Sequence, residues 1–273
     1  MKPVSKTAYY CCGVRMMDAL STKPLVNDTF AKRLMDEEGL RYWESFKNFT
    51  NPNGSNVARC YLIDTWIKKQ LQANPETTII LLGAGLDSRA YRLPHGKWIE
   101  LDEPGVIEYK EKRLPSSTCK NPLERISIDF EQEPLQEKLS PFSQAQPVMI
   151  VVEGVLMYLS PEQKSTLFTT LTSLFPNHLL LCDLMNRRFF NAMGNQGPYQ
   201  EIVKSGAPFR DLEEDPEKNI IKYGYRLQEF KSNVITASDF GLLSLPRFVV
   251  KYLMRGLLTG YSSYQFTFEK SLR

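Results

Sequence analysis

Apolar residues recur along the chain in two patterns, helical spacing and short continuous runs. From residue 56 to residue 71 they recur every three or four positions, which predicts an amphipathic helix. Its buried face is expected to comprise Ala58, Leu62, Ile63, Trp66, Ile67 and Leu71, with Arg59, Lys68 and Lys69 elsewhere on the surface. The run TTIILLGAG at residues 77–85 is typical of a strand buried in a parallel sheet.

Strand and helix patterns then alternate. Further strands are predicted at residues 97–102, 125–130, 146–159 and 178–183, and late strands at 225–230 and 264–268. Pro104 is suited to the first turn of a helix. Ser160, Pro161 and Gln163 fit the start of another helix with a capping box, and a late helix is predicted at 237–242. The alternation favours an α/β domain.

The chain is expected to be one domain over residues 1–273, with a helical N-terminal segment at 1–72. Residues 186–222 are rich in Asn, Gly, Pro and charged side chains and show no clear period. So long a segment inside an α/β domain is typical of a lid or a substrate-binding insertion.

Composition excludes several classes of protein. The 273 residues are 42% hydrophobic and 24% charged, which is typical of a globular chain. A net charge of +3, dispersed along the chain, does not indicate a nucleic-acid partner. Five cysteines without a CxxC pair indicate neither a disulfide framework nor a zinc site. No apolar run is long enough to span a membrane, so a cytoplasmic protein is expected.

The most informative stretch is LLGAGLDSRAYRL at residues 81–93, followed by Asp102 at the end of the next strand. Glycines between a strand and a helix let the backbone approach a nucleotide, and a following acid can bind ribose hydroxyls. The third glycine of a dinucleotide motif is absent, and Asp87 would face a bound pyrophosphate. The pattern therefore disfavours NAD and favours S-adenosylmethionine, although a glycine turn that merely links strand to helix is the alternative.

Three ordered blocks resemble the leucine carboxyl methyltransferase superfamily, and in particular its tetracenomycin-type polyketide carboxyl O-methyltransferases. They are residues 81–93, WIELDEPGVIEYKEKRL at 98–114 and VVEGVLMYLSPE at 151–162. The segments TAYYCCGVR and PLVNDTFAKRL are similar to the opening of the family, so the resemblance covers roughly residues 5–186.

The resemblance implies a class I methyltransferase fold, in which a seven-stranded sheet with its last strand antiparallel carries S-adenosylmethionine at the carboxyl ends of its first strands. The N-terminal segment would then cover the cofactor. The residues implied to bind it are Gly83, Ala84 and Gly85 at the methionine part, Asp102 at the ribose, Asp129 and Phe130 at the adenine, Glu153 near the amino group, and Arg59 and Arg15 at the carboxylate.

Several of these residues also have a purely structural interpretation. Asp102 can cap the helix that starts at Pro104, and Asp129 can be a turn residue. Arg59 can belong to a solvated helix face. Glu153 lies within an apolar run and therefore needs a partner to stay charged.

The small number of histidines bears on which chemical group of the acceptor is methylated. A carboxylate needs no base before methyl transfer, whereas a phenol or alcohol usually does. The chain has only His95, expected to be exposed, and His178, expected at the wrong end of the sheet. A small carboxylic acid is therefore the predicted acceptor; a protein C-terminal leucine, an NAD-dependent oxidoreductase and a non-catalytic interaction protein are the alternatives. Candidate acceptor contacts are Arg187, Arg188 and Arg210, and the aromatic residues Phe189, Phe190, Tyr199 and Phe209. The alternatives are that the arginines lie in solvent and that the aromatic residues form a small core of the insertion.

Overall fold

A single seven-stranded sheet organises the protein. The computed structural model describes residues 2–130 and 132–270. The strands are β1 (Thr78–Leu82), β2 (Lys97–Asp102), β3 (Leu123–Ser127), β4 (Val148–Val152), β5 (Asn177–Met185), β6 (Arg226–Ser232) and β7 (Tyr261–Glu269). Their order is β3-β2-β1-β4-β5-β7-β6, and β7 runs antiparallel to both of its neighbours. The predicted class I arrangement with an antiparallel last strand is confirmed.

Helices precede the sheet and connect its strands. Before β1 lie α1 (Pro3–Ala19), α2 (Ala31–Leu34), α3 (Glu37–Glu44) and α4 (Thr50–Ala73). Between β1 and β5 lie α5 (Arg89–Arg92), α6 (Pro104–Arg113), α7 (Leu135–Leu139) and α8 (Pro161–Leu174). The later helices are α9 (Arg187–Phe189), α10 (Pro198–Lys204), α11 (Pro216–Ile221), α12 (Asn233–Asp239) and α13 (Arg255–Leu258), with π-helical turns at Phe190–Gly194 and Val249–Leu253. None of the helices in the described ranges is both long enough and apolar enough to cross a membrane.

The two central strands are buried on both faces, which explains their continuous apolar runs. All five residues of β1 and all five of β4 are buried. Because side chains alternate along a strand, Ile80 and Ile150 pack towards Phe168 of α8, while Ile79 and Met149 belong to the opposite core with α4.

The N-terminal segment has its own apolar cluster, built around Tyr9, Trp43 and Phe46. Ile202 and Ala207 of the 186–222 insertion belong to the same cluster. The insertion and the N-terminal helices therefore form one layer at the carboxyl ends of the strands.

Some element boundaries differ from the sequence-based expectation. β2 and the α8 capping box are as predicted, with Ser160 and Gln163 bonding each other's backbone. The prediction of one strand over 146–159 is wrong, because β4 ends at Val152 and Gly154 has a φ of +68°. The prediction of Arg59 on an exposed face is also wrong, because that residue is only 6% exposed.

Candidate active site

A cavity of about 750 Å³ lies at the carboxyl ends of β1 and β4. At this point the strand order changes direction, β2 and β3 lying on one side of β1 and β4 to β7 on the other. Open α/β sheets bind ligands at such a point, because the two adjacent loops diverge there. The wall comprises the β1–α5 loop, the end of β2, the β4–α8 loop and α1, which contributes Val4, Ser5, Thr7, Ala8, Cys11 and Arg15.

The glycines after β1 form the floor of this cavity. Gly83 and Gly85 have φ values of +69° and +49°, a region that side chains rarely allow. A Cβ atom on Gly83 would lie 2.6 Å from Cγ2 of Val155, so no larger residue fits there without a shift. The backbone is therefore exposed to any ligand in the cavity.

Asp102 joins the end of β2 to the glycine turn. Its Oδ2 accepts a hydrogen bond from the Gly85 amide at 2.6 Å, and its Oδ1 accepts one from the Glu103 amide at 2.7 Å. Burial raises the pKa of Asp102 to about 6, despite these two donors. Asp102 is not the cap of α6, because Glu103 occupies that position without a side-chain bond. It lines the cavity instead.

Arg59 reaches the cavity from α4 and is held on three sides. Its Nε donates to Glu153 at 2.9 Å, and its Nη1 donates to the hydroxyl of Tyr261 at 2.9 Å and to Asp183 at 3.3 Å. Its Nη2 contacts the sulfur of Cys11 at 3.5 Å. This fixed guanidinium in the wall offers a positive charge to a ligand carboxylate.

A second buried arginine, Arg89, links the remaining acids. It donates to Asp64 at 2.6 Å, pairs with Asp87, and lies 2.7 Å from Glu153. Burial alone would raise the pKa of Glu153, but Arg89 and Arg59 hold it below its ordinary value. In the same way, Arg89 and Arg15 lower the pKa of Asp87 to about 2. Glu153 therefore has the partners that its apolar surroundings require.

Arg15 connects α1, which covers the cavity, to the glycine turn at its floor. Its Nε donates to Asp28 at 2.9 Å, and its Nη2 donates to the carbonyl of Leu86 at 2.6 Å. Asp28 also accepts a bond from the hydroxyl of Ser88, which occupies the place of a third glycine. These contacts fix α1 over the glycine turn.

Asp129 differs in placement from the other candidates. Its carboxylate accepts a hydrogen bond from Lys2 at 3.2 Å, and its amide donates to Glu133 at 2.8 Å. Phe130 beside it is 38% exposed and lines the cavity, but Asp129 is not part of the wall formed by the described residues. Its proposed contact with adenine stays a prediction.

The structure thus brings eight of the nine candidate residues to one cavity. Sequence reasoning did not find the residues that hold them, which are Asp28, Asp64, Arg89, Asp183 and Tyr261. These residues are far apart in the chain, and no local pattern distinguishes them. Arg89 lies within LLGAGLDSRAYRL and Asp28 within PLVNDTFAKRL, but neither was predicted to hold the site together.

Neither histidine reaches the cavity. His95 is exposed in a turn, as expected. His178 is buried at the start of β5, where its ring nitrogens lie 2.7 Å from the Phe175 carbonyl and 2.9 Å from the Tyr225 hydroxyl. Burial lowers its pKa to about 4, so the ring is neutral at physiological pH.

The three insertion arginines differ in position. Arg210 is exposed and lines the cavity, and it also lines a neighbouring pocket of about 270 Å³. Arg187 lines only this side pocket, whereas Arg188 lines neither. Of the two interpretations of Phe189, the core role is the one observed, because it packs in a buried cluster with Tyr261 and does not line either space.

The wall fits S-adenosylmethionine. A fixed guanidinium (Arg59) suits the carboxylate of the methionine part, and a buried carboxylate with two backbone donors (Asp102) suits ribose hydroxyls. Nη2 of Arg59 has only the Cys11 sulfur as a partner and stays available to one carboxylate, whereas Arg89 is engaged by Asp64, Asp87 and Glu153 and offers nothing further to a larger anion such as a pyrophosphate. This arrangement agrees with a cofactor that has no phosphate.

Solved structures share the fold. A DUF574 family protein from Streptomyces avermitilis aligns with a TM-score of 0.57 at 11% identity, covering 94% of this chain and 97% of that one. Magnesium protoporphyrin IX methyltransferase from Synechocystis, solved with bound S-adenosylhomocysteine, aligns with a TM-score of 0.51 at 13% identity over 85% and 95% of the two chains. At such identities the likeness concerns the fold alone.

Sequence relatives are closer. A Mycobacteroides abscessus protein, provisionally named an S-adenosyl-L-methionine-dependent methyltransferase, is 29% identical over 204 residues, or 66% of this chain and 67% of the relative. A Mycobacterium tuberculosis H37Rv protein with a similar name is 30% identical over 192 residues, or 63% and 62%. The chain thus matches about two thirds of the length of these relatives. The sequence profile of leucine carboxyl methyltransferases matches residues 10–172, more than half of the chain. The protein therefore belongs to the leucine carboxyl methyltransferase family, whose members are S-adenosylmethionine-dependent methyltransferases.

Proposed function

We propose that this protein transfers the methyl group of S-adenosylmethionine to the carboxylate of a small organic acid. The observation that carries the proposal is the lack of a free base in the wall formed by the described residues, which includes no histidine. Each acid in that wall already accepts a donor: Asp87 from Arg89, Asp102 from two amides, Glu103 from Lys2, Glu133 from Lys138, Glu153 from Arg59 and Glu162 from Ser160.

Tyrosine does not supply the missing base either. Tyr158 lines the cavity, but burial raises the pKa of its hydroxyl above the ordinary value, so it stays protonated. The carboxylate with the raised pKa, Asp102, has both oxygens turned to the Gly85 and Glu103 amides, so it is not directed at an acceptor hydroxyl. A carboxylic acid, with a pKa near 4, arrives already ionised, whereas a phenol with a pKa of about 10 does not.

The reaction then needs no proton transfer by the protein. When bound, S-adenosylmethionine supplies an electrophilic methyl group on sulfur. A carboxylate oxygen placed in line with that group would form the new C–O bond as the methyl–sulfur bond breaks, giving an ester and a thioether. The protein contributes alignment and exclusion of water. Arg210, exposed in the wall, attracts an anionic acceptor.

The test is a transfer assay with radiolabelled S-adenosylmethionine. Matched pairs of acceptors, such as 2-naphthoic acid with 2-naphthol, separate the two chemistries, and a peptide ending in leucine tests the protein-directed alternative. We expect label in a base-labile ester that releases methanol, from the acids only. Label in a base-stable ether, or in the peptide alone, would overturn the proposal.

A further inference from the structure

The side pocket beside the main cavity has the composition of a binding site. It measures about 270 Å³ and shares Arg210 with the cavity, so the two spaces meet at that side chain. Three rings line it, those of Phe190, Tyr199 and Phe209. All three are half-buried, and so they present ring surface to the pocket.

The rings form a compact aromatic wall. The centroids of Phe190 and Tyr199 are 4.8 Å apart, and those of Tyr199 and Phe209 are 4.7 Å apart. Phe209 also contacts Tyr158 of the main cavity, with centroids 5.2 Å apart. The rings are tilted or perpendicular to one another, with interplanar angles of 87° for Phe190 and Tyr199 and 49° for Tyr199 and Phe209, so an aromatic ligand can pack edge-to-face against them.

The charge of the side pocket is positive. Arg187 and Arg210 both line it, and within residues 2–130 and 132–270 neither guanidinium has a carboxylate within 4.0 Å. The one acid in the lining, Asp211, is already paired with Lys164 at 2.9 Å. Arg187 is held in place by its Nε, which donates to the Leu212 carbonyl at 2.9 Å. The pocket thus offers two guanidinium groups to an anion.

These arginines are poorly suited to the carboxylate that reacts. Methyl transfer removes the negative charge of that group, so a guanidinium bonded to it would stabilise the ground state more than the transition state. A bond to an anion that keeps its charge strengthens binding without this cost. Two arginines outside the transfer site are better matched to a second acid group of the acceptor.

We propose that the acceptor is an aromatic dicarboxylic acid. Its aromatic body packs against the edges and faces of Phe190, Tyr199 and Phe209, and its non-reacting carboxylate is bound by Arg187 and Arg210, while the other carboxylate is methylated in the main cavity. The proposal rests on the carboxyl methylation proposed above and adds the substrate class.

The experiment compares naphthalene-2,6-dicarboxylate with its monoamide, 6-carbamoyl-2-naphthoate, and repeats the comparison with the biphenyl-4,4′ pair. Because both guanidinium groups are exposed, their bonds to the second carboxylate are screened by solvent and together contribute about 5- to 25-fold. We expect kcat/KM for the dicarboxylate to exceed that for the monoamide by this factor, chiefly through KM. In Arg187→Gln, where Arg210 alone remains, the ratio should fall to about five or less. Arg188→Gln, which changes an exposed arginine outside both spaces, should keep it.

Calorimetric titration of the same compounds into the protein saturated with S-adenosylhomocysteine gives a second readout that needs no turnover. Equal affinity and equal kcat/KM for dicarboxylate and monoamide would overturn the inference and leave carboxyl methylation standing. An unchanged ratio in Arg187→Gln would also overturn it. If S-adenosylhomocysteine binds but no acid yields a base-labile ester, the proposed function itself fails, and the substrate class fails with it.

Discussion

Asp102 gives the sharpest test of the cofactor site, because it titrates close to physiological pH. Burial raises its pKa from 3.8 to about 6, and at about 1.4 kcal/mol for each pKa unit the buried charge costs about 3 kcal/mol of stability. The folded state holds the proton more tightly than the unfolded state. The free energy of unfolding therefore falls by that amount as the pH rises from below 4 to above 6.

Cofactor binding should show the opposite dependence. Two ribose hydroxyls donate hydrogen bonds, so they favour the ionised carboxylate. With a pKa of about 6, the ionised fraction of Asp102 is roughly tenfold smaller at pH 5 than at pH 7. We expect the Kd of S-adenosylhomocysteine to be about tenfold higher at pH 5, measured by calorimetric titration.

Asp102→Asn isolates this effect. The variant no longer buries a charge, which offsets the loss of one acceptor for the Gly85 or Glu103 amide, a loss of about 1–3 kcal/mol, so it should fold. Its Kd at pH 7 should be about 10- to 150-fold higher than that of the parent protein, and constant from pH 5 to pH 7. Glu108→Gln, at a side chain that is 69% exposed, should keep the parent profile. A tenfold pH effect that survives in Asp102→Asn would refute the assignment.

Three further changes have defined outcomes. Burial lowers the pKa of His178 from 6.5 to about 4, so this residue contributes about 3 kcal/mol to the free energy of unfolding above pH 6.5, and that contribution is lost as the pH falls to 4. In His178→Gln, urea denaturation should therefore show a smaller dependence of the unfolding free energy on pH. Arg59→Met leaves the buried Asp183 without its cation and Glu153 with Arg89 alone, so calorimetry should show a loss of about 3–5 kcal/mol and no rise in Tm with S-adenosylhomocysteine. Gly83→Ala should lose about 1–3 kcal/mol, partly recovered by adding Val155→Ala, whereas Gly105→Ala, with open space around its Cβ, should change stability by less than about 1 kcal/mol.

The sequence indicates the fold well where pattern and chemistry agree. The strand over residues 97–102 and the capping box at Ser160 are local features, and the structure confirms them. The run at 146–159 shows where the pattern fails. Its apolar residues continue past Val152 because Leu156 and Met157, in a short 3₁₀ turn of the following loop, are also buried. Hydrophobicity reports burial, and here it does not distinguish strand from covered loop.

The candidate site was accessible to sequence reasoning only in part. Gly83, Gly85 and Asp102 belong to a motif whose spacing reflects one β-α-β unit. The residues that hold Arg59 form no such local motif, because Asp183 and Tyr261 lie 124 and 202 positions away from it in the chain. An arginine on an amphipathic helix resembles a solvated residue until such distant partners are known.

The position of α1 has a consequence for how the site assembles during synthesis. Helix α1, which covers the cavity, is synthesised before the loops that form the floor beneath it, from Gly83 to Val155. Arg15 finds the Leu86 carbonyl only after 71 more residues have been added. A cofactor-competent pocket is therefore a late product of folding, closed by contacts between distant parts of the chain, and contacts of this kind slow folding.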